Sequence, residues 1–348
     1  MKTCTLIPRR AWLAGLMCLP LLGALAHAAK VEAVPVDASF EPAGRAAGLV
    51  KVSGADAGGL RGISRAAISS FQVEFVTKGA ASASSYEIGR SGTANTNMQI
   101  TLVGLGAADY QHITDQLHAE FTRDLQAQGI SVLPTARVLA SPIYQKMAAS
   151  GKPSPTDTRT SDTWSTVYAP AGLGVYGVGS SSNAFALLAG FSAMSDVSAT
   201  MFANGELAKE LDAALLVVRL VVNFVDLKSS DSSWFSRSSG TSSVKGELAP
   251  SLTTASMMQV IQPSGVAATL QLQAPLLMDA GVFTQVKDTS SIAANVGLAV
   301  LNLAIGKGGS AIAIEKEAVA DPARYRTVVA AGVGSARAMF MERLRAGQ

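Results

Sequence analysis

The chain has 348 residues, with 28 Lys or Arg, 25 Asp or Glu, three histidines and two cysteines. Three of the basic residues and both cysteines, Cys4 and Cys18, fall in residues 1–28, so the rest of the chain is formally neutral and free of cysteine. Such a chain is not expected to bind nucleic acid through a basic surface, to form disulfides or to bind a metal through thiolates.

Residues 1–28 have the pattern of a cleaved secretory signal peptide. A basic start is followed by an apolar run from Ala11 to Ala26 and then by Ala26-His27-Ala28, which has small residues where signal peptidase requires them. The apolar run contains Pro20 and is shorter than the roughly 20 residues of a membrane-spanning helix. Lipoprotein processing at Cys18 is the alternative, but it needs a small residue where Met17 stands. We therefore expect an exported, periplasmic protein without a transmembrane helix after cleavage, with outer-membrane association left open.

The rest of the chain divides into an arm and one folded domain. Residues 29–63 are rich in Ala, Gly and Pro and lack a sustained apolar period, which predicts a flexible N-terminal arm with one short strand at 49–52. Residues 64–348 are predicted to form a single α/β domain. Two Ser- and Gly-rich stretches within it, 151–183 and 229–243, are predicted to be long loops.

The clearest element is a helix at 107–128. Ile113, Leu117, Phe121 and Leu125 recur every four residues and fall on one stripe of a helix, and Gly129 stands where a helix commonly ends. A second strong signal is the strand at 213–227, in which every even-numbered side chain from 216 to 224 is large and apolar.

Weaker patterns complete the fold. They predict strands at 66–76, 97–104, 130–133, 256–261 and 268–273, a broken helical stretch at 135–149, a helix at 201–211 and a closing helix from Pro322. The fold class is therefore α/β (α+β), with a mixed sheet flanked by amphipathic helices.

No pattern predicts a catalytic, cofactor or metal site. After residue 28 the histidines are His112 and His118, which point about 120° apart on a helix and cannot share a ligand. Arg219 is the most informative charged residue, because an arginine inside an apolar strand must reach water, a carboxylate or a ligand. Asp212, just before that strand, is its candidate partner, although a cap or an ordinary ion pair would also explain it.

Aromatic side chains in the two loops are the other candidate contact or ligand residues. Trp164 and Tyr168 lie in the first loop, and Trp234 and Phe235 lie in the second. Large apolar groups in such polar surroundings either pack under the loop as anchors or stay exposed as contact points.

The order of these elements resembles the α/β domain of the curli-secretion-channel (CsgG-like) superfamily. Those proteins also pair early strands with a long helix and place a helix ahead of a central strand, as Glu210-Leu211-Asp212-Ala213-Ala214 does here. The resemblance spans 65–345 and is one of layout. It implies a non-catalytic role in an envelope assembly.

Three functions follow as hypotheses. The first is a non-catalytic periplasmic envelope protein that acts through contacts with envelope proteins or by self-association, as a peripheral component of an outer-membrane or secretion-type assembly. The second is a binding protein for an apolar small molecule or lipid, which would use 184–194 and 292–305 with the aromatic loops as a lid. The third is an exported hydrolase, which would need Asp212, Glu210 or a loop serine in a cleft.

Overall fold

The computed structural model describes residues 32–54, 58–86, 93–176, 203–229, 241–288, 301–307 and 311–347, which form a mixed α/β fold around one mixed sheet. The helices are α1 (Pro42–Leu49), α2 (Ala107–Ala127), α3 (Thr135–Leu139), α4 (Pro142–Ala149), α5 (described at 203–211) and α6 (Pro322–Gly347). The strands are β1 (Val34–Pro35), β2 (Val50–Ser53), β3 (Arg65–Tyr86), β4 (Thr93–Val103), β5 (Ser131–Val132), β6 (Thr156–Arg159), β7 (Thr163–Tyr168), β8 (Ala214–Ser229), β9 (Thr241–Leu252), β10 (Met257–Ile261), β11 (Ala267–Leu272), β12 (Leu276–Leu277), β13 (Phe283–Asp288), β14 (Leu301–Lys307) and β15 (Ala311–Ala320).

The long strand β3 organises the sheet. Its first half pairs in parallel with β8, its second half pairs antiparallel with β4, and its other edge pairs with β5 and then β7. Phe71, Val73 and Phe75 are fully buried on one side, which we call the inner face. The intervening residues, including Gln72 and Glu74, lie on the opposite side, the outer face, because side chains alternate along a strand.

The second half of β3 consists mainly of small residues, and their small size lets β8 pass close over it. β8 leaves β3 after Val222 and pairs with β9 instead, while β4 takes its place beside β3. A Cβ atom on Gly79 would lie 2.9 Å from Cγ1 of Val225, so the close passage of β8 over β3 requires glycine there.

Helices α2 and α6 cover the inner face. The predicted stripe of α2 is confirmed, since Ile113, Leu117, Phe121 and Leu125 are each at most 1% exposed. Phe121 meets Phe71 of β3 edge to face, with ring centroids 5.8 Å apart. None of the helices in the described ranges is both long and apolar enough to cross a membrane.

Helices α2 and α5 end in the same type of turn. They lead into β5 and β8, which pair with opposite sides of the start of β3. After α2, the N–H groups of Gly129 and Ile130 donate to the carbonyls of Gln126 and Leu125. After α5, the N–H groups of Asp212 and Ala213 donate in the same pattern to the carbonyls of Lys209 and Ala208. This is the Schellman motif, in which the first of the two donors adopts the left-handed conformation. Gly129 has a φ of 81°, which confirms the predicted helix stop, and Asp212 has a φ of 47°.

Asp212→Gly is expected to stabilise the protein by about 0.5–1 kcal/mol, because glycine adopts the left-handed conformation without a Cβ penalty. The ion pair that is lost, from Arg65 Nη1 to Asp212 Oδ2 at 3.6 Å, is too exposed to offset this gain. Urea unfolding measures the change in the free energy of unfolding. Gly129→Ala is the matched control and should destabilise by about 1 kcal/mol, since its Cβ would meet no atom within 4 Å and only the backbone penalty remains. Equal effects in both variants would contradict this explanation.

The predicted elements are largely found, and the predicted arm and loops need correction. Residues 32–54 do not form a flexible arm: α1 packs on α6, β2 pairs with β11, and β1 pairs with β12. The predicted loop at 151–183 contains β6 and β7 in its described part. At 229–243, β8 ends and β9 begins at the two borders, and residues 230–240 lie outside the described ranges. The partners of α1, β1 and β2, and the β3 strand on which β7 pairs, lie in distant parts of the chain, which local composition does not reveal.

Candidate functional site

Arg219 lies on the outer face in a buried ion pair with Glu74. Its Nη2 donates to Glu74 Oε2 at 2.8 Å, and the side chains of Arg219 and Glu74 are only 17% and 10% exposed. The parallel register of β3 and β8 creates this contact by placing Gln72 beside Arg219 and Glu74 one step further along the same face. Of the three expected destinations of Arg219, which were water, a carboxylate or a ligand, the structure shows a carboxylate, that of Glu74.

A chain of hydroxyl groups extends this ion pair across two more strands. Ser165 of β7 donates to Glu74 Oε1 at 2.6 Å, and the hydroxyls of Thr158 and Ser165 are 2.9 Å apart. Because the Ser165 proton is directed at the carboxylate, Thr158 donates to Ser165. We call Thr158, Ser165, Glu74 and Arg219 the charged strip. It connects β6, β7, β3 and β8, and it uses both oxygens of Glu74.

Asp212 and Arg219 are not brought together. The Asp212 side chain is 87% exposed and faces Arg65, while Arg219 pairs with Glu74. Glu210, the other carboxylate considered before this strand, accepts a hydrogen bond of 2.7 Å from Ser141, the residue that caps α4. These two acidic residues thus have structural roles at helix ends.

The two described aromatic candidates lie on β7 and behave differently. Tyr168 is buried, 4% exposed, and packs against Phe75 and Tyr110 on the inner face. Trp164 is half-buried between two cations: Lys78 Nζ and Arg159 Cζ lie 4.9 and 4.6 Å from its ring centroid. Tyr168 is therefore an anchor, and Trp164 is a partly exposed group that holds two cations. Trp234 and Phe235 lie outside the described residues, as do 184–194 and 292–300.

The edge of β3 between its partners β5 and β7 is closed by Tyr176. The Tyr176 hydroxyl donates to the carbonyl of Ser69, at a bulge in β3, and the Gln72 amide donates to the carbonyl of Tyr176 at 2.8 Å. Burial raises the pKa of Tyr176, which keeps the hydroxyl protonated as a donor. This contact fixes the chain segment that follows β7 against the central strand.

The two described histidines, His112 and His118, do not form a site. His112 is exposed, whereas His118 is half-buried with its ring centroid 5.3 Å from that of Phe71. Burial lowers the pKa of His118, so its ring is a neutral packing group near neutral pH. In the described part of the chain, no cluster of three or more His, Cys, Asp or Glu side chains could hold a metal ion.

A cleft of about 640 Å³ lies between α2 and the segments near 148–154 and 169–174. Gln111 lines this cleft and donates to Asp115 Oδ1 and to the carbonyl of Ala169, both at 3.0 Å. Lys152 lies at its exposed border. Gln111 thus joins α2 to the end of β7, so this polar side chain of the cleft has a structural role.

The outer face continues from the charged strip into a surface made by β10, β11 and β2. The register places Met257 beside Arg219, Gln271 beside Met257 and Lys51 beside Gln271. The alternate residues on β10 and β11, such as Met258 and Leu270, are fully buried on the inner face. We call the outward side chains the open face. Lys51 and Ser53 are exposed, and the others, Met257, Gln259, Thr269 and Gln271, are partly buried.

Sequence reasoning found Arg219 and missed Glu74, Ser165 and the open face. The signals were the alternation of Gln72 and Glu74 with large apolar residues on β3 and the alternation of Gln271 and Gln273 with leucines on β11. In comparisons with known proteins, no family model, no curated protein and no solved structure matches the chain.

Proposed function

We propose that the chain is a non-catalytic envelope protein that acts through protein contacts, as a peripheral component of an outer-membrane or secretion-type assembly. The open face is the observation that carries this proposal. Its side chains are mostly uncharged and belong to three adjacent strands whose other side is packed against the core. A surface of this kind can be covered by a partner at low desolvation cost, because few charges must leave water.

The charged groups support the same role. Glu74 is held by Arg219 and Ser165, and Glu210 is held by Ser141, so these carboxylates are engaged in contacts within the fold. Export by a cleaved signal peptide at 1–28, a periplasmic location and a relationship to the CsgG-like superfamily are parts of the same proposal. They rest on the sequence pattern and on the order of elements.

Photo-cross-linking in the native host tests this proposal. A photoreactive residue placed at Gln259 or Thr269 is expected to form an adduct with a defined envelope protein, identified by mass spectrometry. The matched control is His112, which is exposed on α2, the helix that covers the inner face. The proposal fails if the open-face positions form no adduct, or if His112 labels the same proteins to the same extent.

A further inference from the structure

β6 lies at an edge of the described part of the sheet. Within the described residues, β6 pairs with β7 and with no other strand. The N–H of Thr160 donates to the carbonyl of Thr163 and closes the β6–β7 hairpin. Because hydrogen-bonded and non-hydrogen-bonded pairs alternate in an antiparallel ladder, Thr158 and Thr156 bond to β7. The backbone N–H and C=O groups of Asp157 and Arg159 therefore point away from β7, toward the side on which no described strand pairs with β6.

Asp157 and Arg159, the two residues whose backbone groups point away from β7, carry opposite charges, and each side chain is held by a contact. Asp157 accepts a hydrogen bond of 2.7 Å from Thr166, and the Arg159 guanidinium lies 4.6 Å from the Trp164 ring centroid. Both residues are exposed. In the described part of the chain, neither of them takes part in an ion pair. Ordering them in advance lowers the entropy lost when a partner binds.

This arrangement is complementary to itself. If a second β6 lies antiparallel with Thr158 opposite Thr158, then Asp157 lies opposite Arg159 of the other copy. Arg159 likewise lies opposite Asp157 of the other copy, because a two-fold axis relates the two pairs. Each of these pairs joins residues with outward backbone groups, so each exchanges both backbone hydrogen bonds. A partner of different sequence would match this edge only if it carried the same alternation in reverse, whereas a second copy carries it necessarily.

We propose that two copies of the chain associate by antiparallel pairing of β6 with β6, centred on Thr158. The proposal rests on the proposed function and names self-association as one of its protein contacts. The strand is short and its ion pairs are exposed, so the dimer forms at high protein concentration and weakens as salt is added.

Charge reversal tests the pairing. Sedimentation velocity of the purified chain over a concentration series should show a monomer–dimer equilibrium. Asp157→Arg and Arg159→Asp should each weaken it by about tenfold or more, because like charges then face each other across the axis. The double variant exchanges the charges and should restore dimerisation. Asp162→Arg, in the turn after β6, is the matched control and should dimerise like the unaltered chain.

A cysteine on the two-fold axis provides a second test that does not depend on affinity. In a chain whose Cys4 and Cys18 are replaced by serine, Thr158→Cys should form a disulfide-linked dimer on mild oxidation, since facing Cα atoms in such a pair lie about 4.5 Å apart. Thr156→Cys should not, because position 156 would face position 160.

A monomeric chain at all concentrations, or equal cross-linking of both cysteine variants, would overturn the dimer. Cross-linking of the open face to an envelope protein is measured separately in the host, so failure of the dimer leaves the proposed function testable on its own terms. A dimer that single charge reversals do not weaken would show association through another surface and would also overturn the pairing.

Discussion

Arg219→Met is expected to destabilise the protein by about 2–4 kcal/mol, because it leaves the Glu74 carboxylate buried without its cation. The Glu74 side chain is 10% exposed, so water can replace little of the lost interaction. Ser165 would still donate to one oxygen, which keeps the cost below that of a fully isolated charge. Urea unfolding at neutral pH measures the loss as a lower transition midpoint with an unchanged slope.

The double variant Glu74→Gln with Arg219→Met should recover most of this loss and lie within about 1 kcal/mol of the unaltered protein, since neither charge then remains. Arg65→Met is the matched control: Arg65 also pairs with an aspartate beside β8, but the side chains are 42% and 87% exposed. It should cost no more than about 0.5 kcal/mol. An Arg219→Met loss as small as that of the control would mean that the charged strip does not stabilise the sheet.

Periodic elements could be predicted because a buried stripe is visible in the sequence as apolar residues at a regular spacing. The stripe Ile113, Leu117, Phe121 and Leu125 on α2 and the alternation along β8 both follow from one face meeting the core, and the structure confirms both. Capping residues were equally informative, as Gly129 shows. These features depend only on neighbours within a few residues.

The partner of Arg219 could not be predicted by such reasoning. Glu74 and Arg219 are 145 residues apart, and they meet only because β3 and β8 run in parallel in one particular register. The sequence does indicate that an arginine in an apolar strand needs a partner, but it offers Asp212 as the nearest carboxylate. The register decides between them, and it is a property of the folded sheet.

Hydrophobic patterns in the sequence also do not predict strands made of small or polar residues. The second half of β3 consists mainly of Gly, Ala and Ser, which have little preference for strands, yet it pairs with β4 throughout. The glycine at position 79 has a packing reason, because a larger residue there would collide with Val225 of β8. β2 was predicted as a strand, but its docking on β11 depends on contacts with residues more than 200 positions away.

The packing of α2 against α6 depends on Arg337, which reaches two carboxylates of α2. It donates to Glu120 and, through Nε at 2.6 Å, to Asp124 Oδ2, and its side chain is 16% exposed. Glu120 and Asp124 therefore both form ion pairs with one cation of the closing helix. Arg337→Met should therefore cost about 1–3 kcal/mol at neutral pH, since two neighbouring carboxylates lose their shared cation.

This cost should shrink in acid. Burial alone would raise the pKa of Glu120, but hydrogen bonds from Gln116 and Arg337 outweigh it and lower that pKa from its ordinary value of 4.5. A carboxyl group whose pKa is lowered by folding stabilises the native state above its ordinary pKa, and this contribution is lost as the pH falls through the native-state pKa. Arg337→Met removes part of the lowering, so the variant has less of this stability to lose. The difference between the two proteins in urea unfolding should be largest near pH 7 and should narrow below about pH 4.5.

Arg326→Met provides the control for this prediction. Arg326 also joins α6 to α2, but it contacts the single carboxylate of Asp109 at 2.9 Å and its side chain is 39% exposed. Its loss should cost about 1 kcal/mol or less. If both variants lose the same stability, or if the Arg337→Met difference is constant from neutral to acid pH, the interface is held by apolar packing alone. A larger and acid-sensitive loss at Arg337 would instead show that one buried guanidinium sets how the closing helix docks on α2.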